Sequence, residues 1–189
     1  MKTDAYLELM HIFEKLKNEE RHSWTSSGRR ESVAEHSWRL ALMAYFMKDE
    51  YPDLDITKVI FMCICHDLGE AFIGDIPAFE KTGADSHAED DALANWVNSL
   101  GEPYKTELSA LFAEMHERKT PEAQLYKALD RMEALIQHNE ADISTWLPLE
   151  YELNFTYGMQ DAAFSAYTKA LRDRINEDTA AKIEAAKTE

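Results

Sequence analysis

Four ionisable side chains occur in segments that are otherwise apolar. His66 and Asp67 directly follow the run VIFMCIC, Asp130 lies beside an apolar stripe in KALDRMEALI, and His36 shares a helical face with leucine and methionine. Burying an ionisable group is costly unless a partner compensates it, and each residue taken alone is also typical of a hydrogen-bonded core position. Together, two imidazoles and two carboxylates form a ligand set suited to one divalent ion, whether Mn, Fe, Co, Ni, Zn or Mg. Open coordination positions would remain for water and substrate.

The elements that must position these residues are helices. Glycine and proline are few, apolar residues recur at 3.6-residue spacing, and no segment alternates strictly, so we expect an all-α fold without strands. Tyr6, Met10, Phe13 and Lys17 form the stripe of a first helix, and residues 18–30 form a loop.

Sequence signals also mark where the later helices begin. Ser32 and Glu35 have the form of a capping box, Asp55 can cap the next helix, and Thr120 precedes a proline at the first helical position. The segment 59–65 is apolar on every side, which predicts a central core helix. Further helices are expected at about 86–100, 103–118, 121–139 and from the region of Gly158 onward. At 189 residues the chain suits a single helical domain over residues 1–189.

Charge and composition limit the classes of partner. The formal net charge is −16, which opposes binding to long DNA or RNA because such proteins neutralise phosphates with Lys and Arg. Cys63 and Cys65 lie two positions apart in an apolar run, so a disulfide framework is not expected. The segment MKTDAYLELM has no apolar signal core, and no run reaches the roughly 20 apolar residues of a membrane span. We therefore expect a cytoplasmic protein with no membrane partner.

The order of the candidate ligands resembles that of the HD-domain phosphohydrolases. The residues that carry the resemblance are ESVAEHSWR around His36, CHDLGE around His66 and Asp67, and KALDRME around Asp130. The longer phrase HDLGEAFIGDIP is similar to the subgroup of bacterial 5′-deoxynucleotidases and their eukaryotic relatives, which carry HDxxE followed by GDxxP. The resemblance covers about residues 5–140 and implies one HD-domain helical bundle. The C-terminal helices expected at about 145–187 lie outside it.

The resemblance also implies a mechanism. His36, His66, Asp67 and Asp130 would bind one metal ion that acidifies a water for attack on a phosphomonoester, such as a nucleoside 5′-monophosphate. The family's two further carboxylates correspond to Glu70 and Asp75, and we assign Glu70 to the attacking water and Asp75 to the leaving group. Members are commonly homodimers, so a homodimer is expected here.

Substrate-binding candidates come from the loop before the first ligand and from the segment after GDIP. A basic residue at the position of Arg29 or Arg30 approaches the substrate phosphate in the family, and Lys81 is a second candidate. The bacterial deoxynucleotidases place an Arg-Trp pair in this loop, whereas this chain has Ser23-Trp24 with Arg21 displaced. Deoxyribose selection is therefore left open, although Trp24 could stack on a base or sugar.

Three alternatives remain open from the sequence. His87 or His116 could recruit a second metal, as extra histidines do in some HD enzymes, although both also fit surface positions. The same metal could serve a phosphodiesterase or a nucleotide triphosphohydrolase. The third alternative is not an enzyme. It is a helical binding or scaffold protein whose metal is structural or absent.

Overall fold

Helices account for most of residues 1–187, the part of the chain that the computed structural model describes. The elements in chain order are α1 Thr3–Lys15, β1 Glu20–Trp24, β2 Arg30–Ser32, α2 Val33–Tyr45, α3 Ile56–Cys65, α4 Glu70–Ile73, α5 Gly83–Ser99, α6 Tyr104–Glu117, α7 Pro121–Glu140, α8 Glu150–Thr156, α9 Met159–Ala162 and α10 Ala166–Ala186. A single 3₁₀ turn, Ile143–Thr145, lies between α7 and α8. The expected all-α class is confirmed, with one small hairpin as the exception.

The predicted helix starts are confirmed by their hydrogen bonds. The Ser32 hydroxyl accepts from the Glu35 amide, and the Glu35 carboxylate accepts from the Ser32 amide, which completes the capping box of α2. Without a reciprocal bond, the Asp55 side chain caps α3 by accepting from the Lys58 amide, and the Thr120 side chain caps α7 by accepting from the Ala123 amide. Each cap satisfies an amide that the helix leaves without a partner, so these short signals fix where the ligand-bearing helices begin.

The centre of the fold is the contact among α2, α3 and α7, which pack against one another. Leu40, Met62, Leu125, Leu129 and Met132 are fully buried there. Because each of these three helices carries at least one candidate ligand on or next to its inner face, packing of the core brings the ligands together.

The prediction of a loop at residues 18–30 is wrong in part, because this segment contains most of an antiparallel hairpin. β1 pairs with β2, with Glu20 opposite Ser32 and Trp24 opposite Arg30. Gly28 has a φ of 81° in the connecting turn, a conformation that glycine adopts without steric cost. The strands are short and lack strict alternation, and β1 packs against α7. Their formation therefore depends on tertiary contacts that the local sequence does not encode.

The helix α3 is central to the core as predicted, but its outer face is exposed although it is apolar. Val59, Met62 and Cys63 are fully buried, but Phe61 is 46% and Ile64 48% exposed. Together with apolar residues of α1, α2 and α6 they line a groove of about 630 Å³. Among residues 1–187, no helix combines the length and the apolar character needed to cross a membrane.

The C-terminal helices are joined to the core by buried polar contacts. Arg172 of α10 is 2% exposed and donates to the carbonyl oxygens of Asn154 at 2.7 Å and Tyr157 at 2.9 Å. These carbonyls lie at the C-terminal end of α8, where a helix leaves its acceptors unpaired. Next along the chain, Gly158 has a φ of 71°, and a Cβ built there would lie 2.5 Å from Cβ of Arg131.

Candidate active site

The four predicted metal ligands converge at one point. Nε2 of His36 lies 3.2 Å from Nε2 of His66 and 3.2 Å from Oδ1 of Asp130. Nε2 of His66 lies 2.9 Å from Oδ2 of Asp67 and 3.4 Å from Oδ1 of Asp130. His36 is on α2, His66 follows the last turn of α3 with Asp67 next to it, and Asp130 is on α7. Residues that are 94 positions apart in the chain therefore face one another inside the protein.

The hydrogen bonds on the far side of each imidazole fit a bound cation. Nδ1 of His66 lies 2.9 Å from the carbonyl oxygen of Cys63, which can only accept, so Nδ1 carries the proton. Nδ1 of His36 is bonded to the buried carboxylate of Glu133. In the neutral imidazoles both Nε2 lone pairs then point at the same place as the two carboxylates, an arrangement in which second-sphere partners fix metal-binding histidines. The donor set suits a divalent ion.

A cavity of about 350 Å³ opens beside this cluster. Asp67 and Asp130 line it, and so do the predicted catalytic residues Glu70 and Asp75. Burial, reinforced by the charges of Asp67 and Asp75, raises the pKa of Glu70 to about 11. Burial likewise raises the pKa of Asp75, while the charge of Arg21 opposes the rise. Oε2 of Glu70 is buried without a hydrogen-bond partner among the described residues, so this acidic group is arranged to receive a further donor or cation.

Arg21 is the principal residue of the cavity that the sequence analysis did not select. It lies on β1, lines the cavity, and places Nη1 3.3 Å from Oδ2 of Asp67. Its Nε is 3.4 Å from a carboxylate oxygen of Glu31. The hairpin thus brings Arg21 next to the candidate metal ligand Asp67, although the sequence suggested that this residue is displaced from the site.

Three more cations line the cavity: Lys81, Lys127 and Arg131. Lys81 was among the candidates and is paired with Glu89. Lys127 has its Nζ 2.6 Å from Oδ2 of Asp130. The spacing of three residues between Lys127 and Asp130 places them on the same helical face, so this contact was available from the sequence and was overlooked.

Trp24, Arg29 and Arg30 are not brought to the cavity. Arg29 has a 59% exposed side chain and binds Glu35 through two hydrogen bonds of 2.8 and 2.5 Å. The guanidinium of Arg30 stacks 4.5 Å from the ring of Trp24, because these residues face each other across the hairpin. None of the three is among the residues that line the cavity.

The two histidines considered for a second metal are exposed. His87 lies on α5 and His116 near the end of α6. Neither lines the cavity, and neither belongs to a group of potential ligands among residues 1–187. The structure therefore gives no support to a binuclear centre built from them.

Comparison with known proteins identifies relatives over most of the chain. The model of the HD domain family matches residues 13–172. The 5′-deoxynucleotidase HDDC2 of Dictyostelium discoideum is 32% identical over 145 residues, which cover 71% of this chain and 76% of the relative. The human 5′-deoxynucleotidase HDDC2 is 30% identical over 140 residues, covering 72% and 68% of the two chains.

Solved structures show the same architecture. A crystal structure from Magnetospirillum magnetotacticum, described as a predicted metal-dependent phosphohydrolase, matches with a TM-score of 0.77 and 26% identity over 95% of this chain and 93% of that one. A conserved hypothetical protein from Pyrococcus furiosus matches with a TM-score of 0.70 and 30% identity, covering 91% and 98%.

Proposed function

The chain belongs to the HD domain family, and we propose that it is a metal-dependent phosphohydrolase that releases orthophosphate from nucleoside 5′-monophosphates. The observation that carries the proposal is the convergence of two imidazole nitrogens and two carboxylates beside a cavity lined by further carboxylates and cations. A volume of about 350 Å³ falls within the range of small-molecule sites.

In this proposal His36, His66, Asp67 and Asp130 hold one divalent ion. Bound there, the ion would supply Lewis-acid activation of water and of a phosphoryl oxygen. Glu133 keeps His36 oriented by accepting its Nδ1 proton. The identity of the metal stays open among Mn, Co, Mg, Fe, Ni and Zn, since a nitrogen and oxygen ligand set admits several of them.

Glu70 and Asp75 form the proton-transfer pair of the proposed reaction. Burial raises the pKa of both carboxyl groups, so the pair holds a proton that it can donate. The charge of a bound divalent ion would lower the pKa of Glu70 and leave that proton on Asp75. Glu70 would take the proton of the attacking water, and Asp75 would give one to the 5′ oxygen as the phosphorus–oxygen bond breaks. Water thus contributes hydroxide to phosphorus and a proton to the nucleoside, which balances the hydrolysis.

Arg21 would neutralise the substrate phosphate. A guanidinium can donate two parallel hydrogen bonds to phosphate oxygens, and Arg21 already lies beside Asp67. All four cavity cations are already paired with carboxylates: Arg21 with Asp67 and Glu31, Lys81 with Glu89, Lys127 with Asp130 and Arg131 with Asp161. This charge balance favours a monophosphate over a triphosphate, whose greater charge would require cations that are not already compensated.

The finer substrate assignment follows the relatives, which are named 5′-deoxynucleotidases. We extend the proposal to deoxynucleoside 5′-monophosphates, with ribonucleotides as the direct comparison. A cytoplasmic location and a homodimer remain predictions from the sequence and from the family resemblance.

The test is orthophosphate release from a panel of deoxy- and ribonucleoside monophosphates. The protein is first stripped of metal and then resupplied with Mn²⁺, Co²⁺, Mg²⁺ or Zn²⁺. Metal-dependent release from the deoxynucleotides is the expected result. Silence with every metal and every substrate would refute the phosphomonoesterase. Release of triphosphate from a nucleoside triphosphate, or opening of a cyclic nucleotide diester, each supplied as a separate substrate, would replace it with another hydrolase.

Two variants separate catalysis from metal binding. Glu70→Gln should reduce turnover by about 10²- to 10⁴-fold. The metal content should be unchanged, because Glu70 is not among the four ligands. Glu80→Gln is the matched control, since Glu80 is an exposed acid ten residues beyond Glu70. It should retain full activity. A Glu70→Gln enzyme with normal turnover would contradict the proposed proton transfer.

A further inference from the structure

A second group of ligand-type side chains lines the same cavity. His22 is on β1, His138 is in the last turn of α7, and Glu150 is the first residue of α8. Nε2 of His22 lies 3.0 Å from Oε1 of Glu150, and Nδ1 of His138 lies 3.4 Å from the same oxygen. One ligand atom from each residue lies within 4.8 Å of the other two. None of these residues belongs to the four-ligand cluster.

We propose that His22, His138 and Glu150 form a zinc-binding site separate from the HD cluster, the four predicted ligands His36, His66, Asp67 and Asp130. Two imidazole nitrogens and one carboxylate oxygen are a ligand set that proteins use for zinc when a fourth position stays open. Ligand atoms about 2.1 Å from a tetrahedral zinc ion lie about 3.4 Å from one another. The separations of 3.0 and 3.4 Å are close to that spacing, so small movements complete the site.

The surroundings hold each ligand in place. Oε2 of Glu150 accepts from the amide of Leu147 at 2.6 Å, which leaves Oε1 directed at the two imidazoles. The ring of His22 packs edge-on against Phe79, with centroids 5.1 Å apart. The indole nitrogen of Trp146 donates to the carbonyl oxygen of His138 at 3.0 Å. Such outer contacts reduce the freedom that a ligand loses on binding a metal.

Charge and protonation also favour a cation at this position. The carboxylate of Glu150 is almost fully buried, and both histidines are largely buried. Burial lowers the pKa of His138, which keeps its imidazole neutral, the form that binds a metal. Since all three residues line the cavity, the open fourth position of the zinc ion would face the space that a substrate enters.

The competing explanation is a hydrogen-bonded triad in which both imidazoles donate to Oε1 of Glu150. The number of zinc ions bound per chain distinguishes the zinc site from the hydrogen-bonded triad. The full chain is stripped with chelator, equilibrated with Zn²⁺ and freed of excess, and its zinc content is measured by mass spectrometry. His138→Ala and Glu150→Gln should each contain one zinc fewer per chain than the wild type. Glu150→Gln retains an amide oxygen for Leu147, so it preserves the start of α8.

Two further variants make the count specific. His116→Ala, which removes an exposed histidine, should keep the wild-type zinc content. His66→Ala damages the HD cluster and leaves the proposed second site intact. Any zinc that the His66→Ala protein still binds should disappear when His138→Ala is added. This measurement does not depend on hydrolase activity. It therefore tests the zinc site independently of the proposed function.

Crystals of the wild-type protein grown with Zn²⁺ give a test that needs no variant. Anomalous diffraction at the zinc edge should place a peak among His22, His138 and Glu150. Absence of that peak at saturating zinc, or unchanged zinc content in both variants with normal circular dichroism spectra, would overturn the proposal and leave the hydrogen-bonded triad.

Discussion

Replacing Glu133 with glutamine should weaken metal binding without removing a ligand. Glu133 is fully buried on α7, where its carboxylate accepts from Nδ1 of His36 and from Nε of Arg39 at 2.5 Å. A glutamine has one acceptor and one donor at its end. Whichever way it turns, its NH₂ group faces either the Nδ1–H of His36 or the N–H of Arg39, so one charge-assisted hydrogen bond is lost.

The expected loss of metal affinity follows from the loss of this one hydrogen bond. Losing the outer partner of a metal-binding histidine typically lowers metal affinity 10- to 100-fold, which is about 1.4–2.8 kcal/mol. The bond lost here involves a charged acceptor, whose contribution is about 1.5–3 kcal/mol, so we expect the upper half of the range. Glu140→Gln is the matched control, because Glu140 also binds Arg39, at 2.5 Å, but is half exposed and has no bond to His36.

Titration calorimetry with Mn²⁺ on chelator-treated protein measures both variants against the wild type. Mn²⁺ is chosen because it favours oxygen-containing ligand sets. Glu133→Gln should bind about 30- to 100-fold more weakly, and Glu140→Gln should change by less than about 3-fold. If Glu133→Gln folds normally and binds Mn²⁺ within 3-fold of the wild type, then the orientation of His36 does not depend on this carboxylate.

Three further predictions concern other parts of the molecule. Arg21→Gln should lower kcat/KM for a nucleoside monophosphate about 10- to 100-fold because a charged phosphate contact is lost, whereas Arg29→Gln, outside the cavity, should change it by less than about 3-fold; an equal loss in both would contradict the placement of the phosphate. Burial raises the pKa of Cys65 to about 12 and that of Cys63 still further, so neither thiol should react with Ellman's reagent at pH 8 until denaturant is added. Arg172→Met should lower the free energy of unfolding in urea by about 2–4 kcal/mol, because it leaves buried carbonyls without a donor; a loss below about 0.5 kcal/mol would refute the role of this contact.

The convergence of His36, His66, Asp67 and Asp130 could be anticipated because the signals are local. Each residue is an ionisable exception in an apolar helical segment, and caps such as Ser32 fix where the helices begin. The assembly of the four into one site came from the resemblance. Periodicity alone says which residues face inward, and not which inward faces meet.

The hairpin and its contribution to the cavity could not be derived in this way. Strands of five and three residues carry almost no periodic signal, and their pairing is stabilised by the helices against which they pack. The positions of Arg21, Trp24 and Arg30 depend on that pairing. Trp24 and Arg30 were predicted to bind substrate, whereas in the structure they face each other across the hairpin and do not line the cavity. The exposed face of α3 was missed for a related reason, since an all-apolar helix does not reveal which side has a neighbour.

Gly158 limits how far the cavity can be redesigned, although it does not line the cavity itself. Its left-handed backbone and its close approach to Arg131 each disfavour any other residue, and Arg131 forms part of the cavity wall. In a deep mutational scan this position should tolerate substitution as poorly as a metal ligand does. Libraries built to widen substrate range should therefore keep glycine at 158 and vary the residues on the hairpin side of the cavity instead.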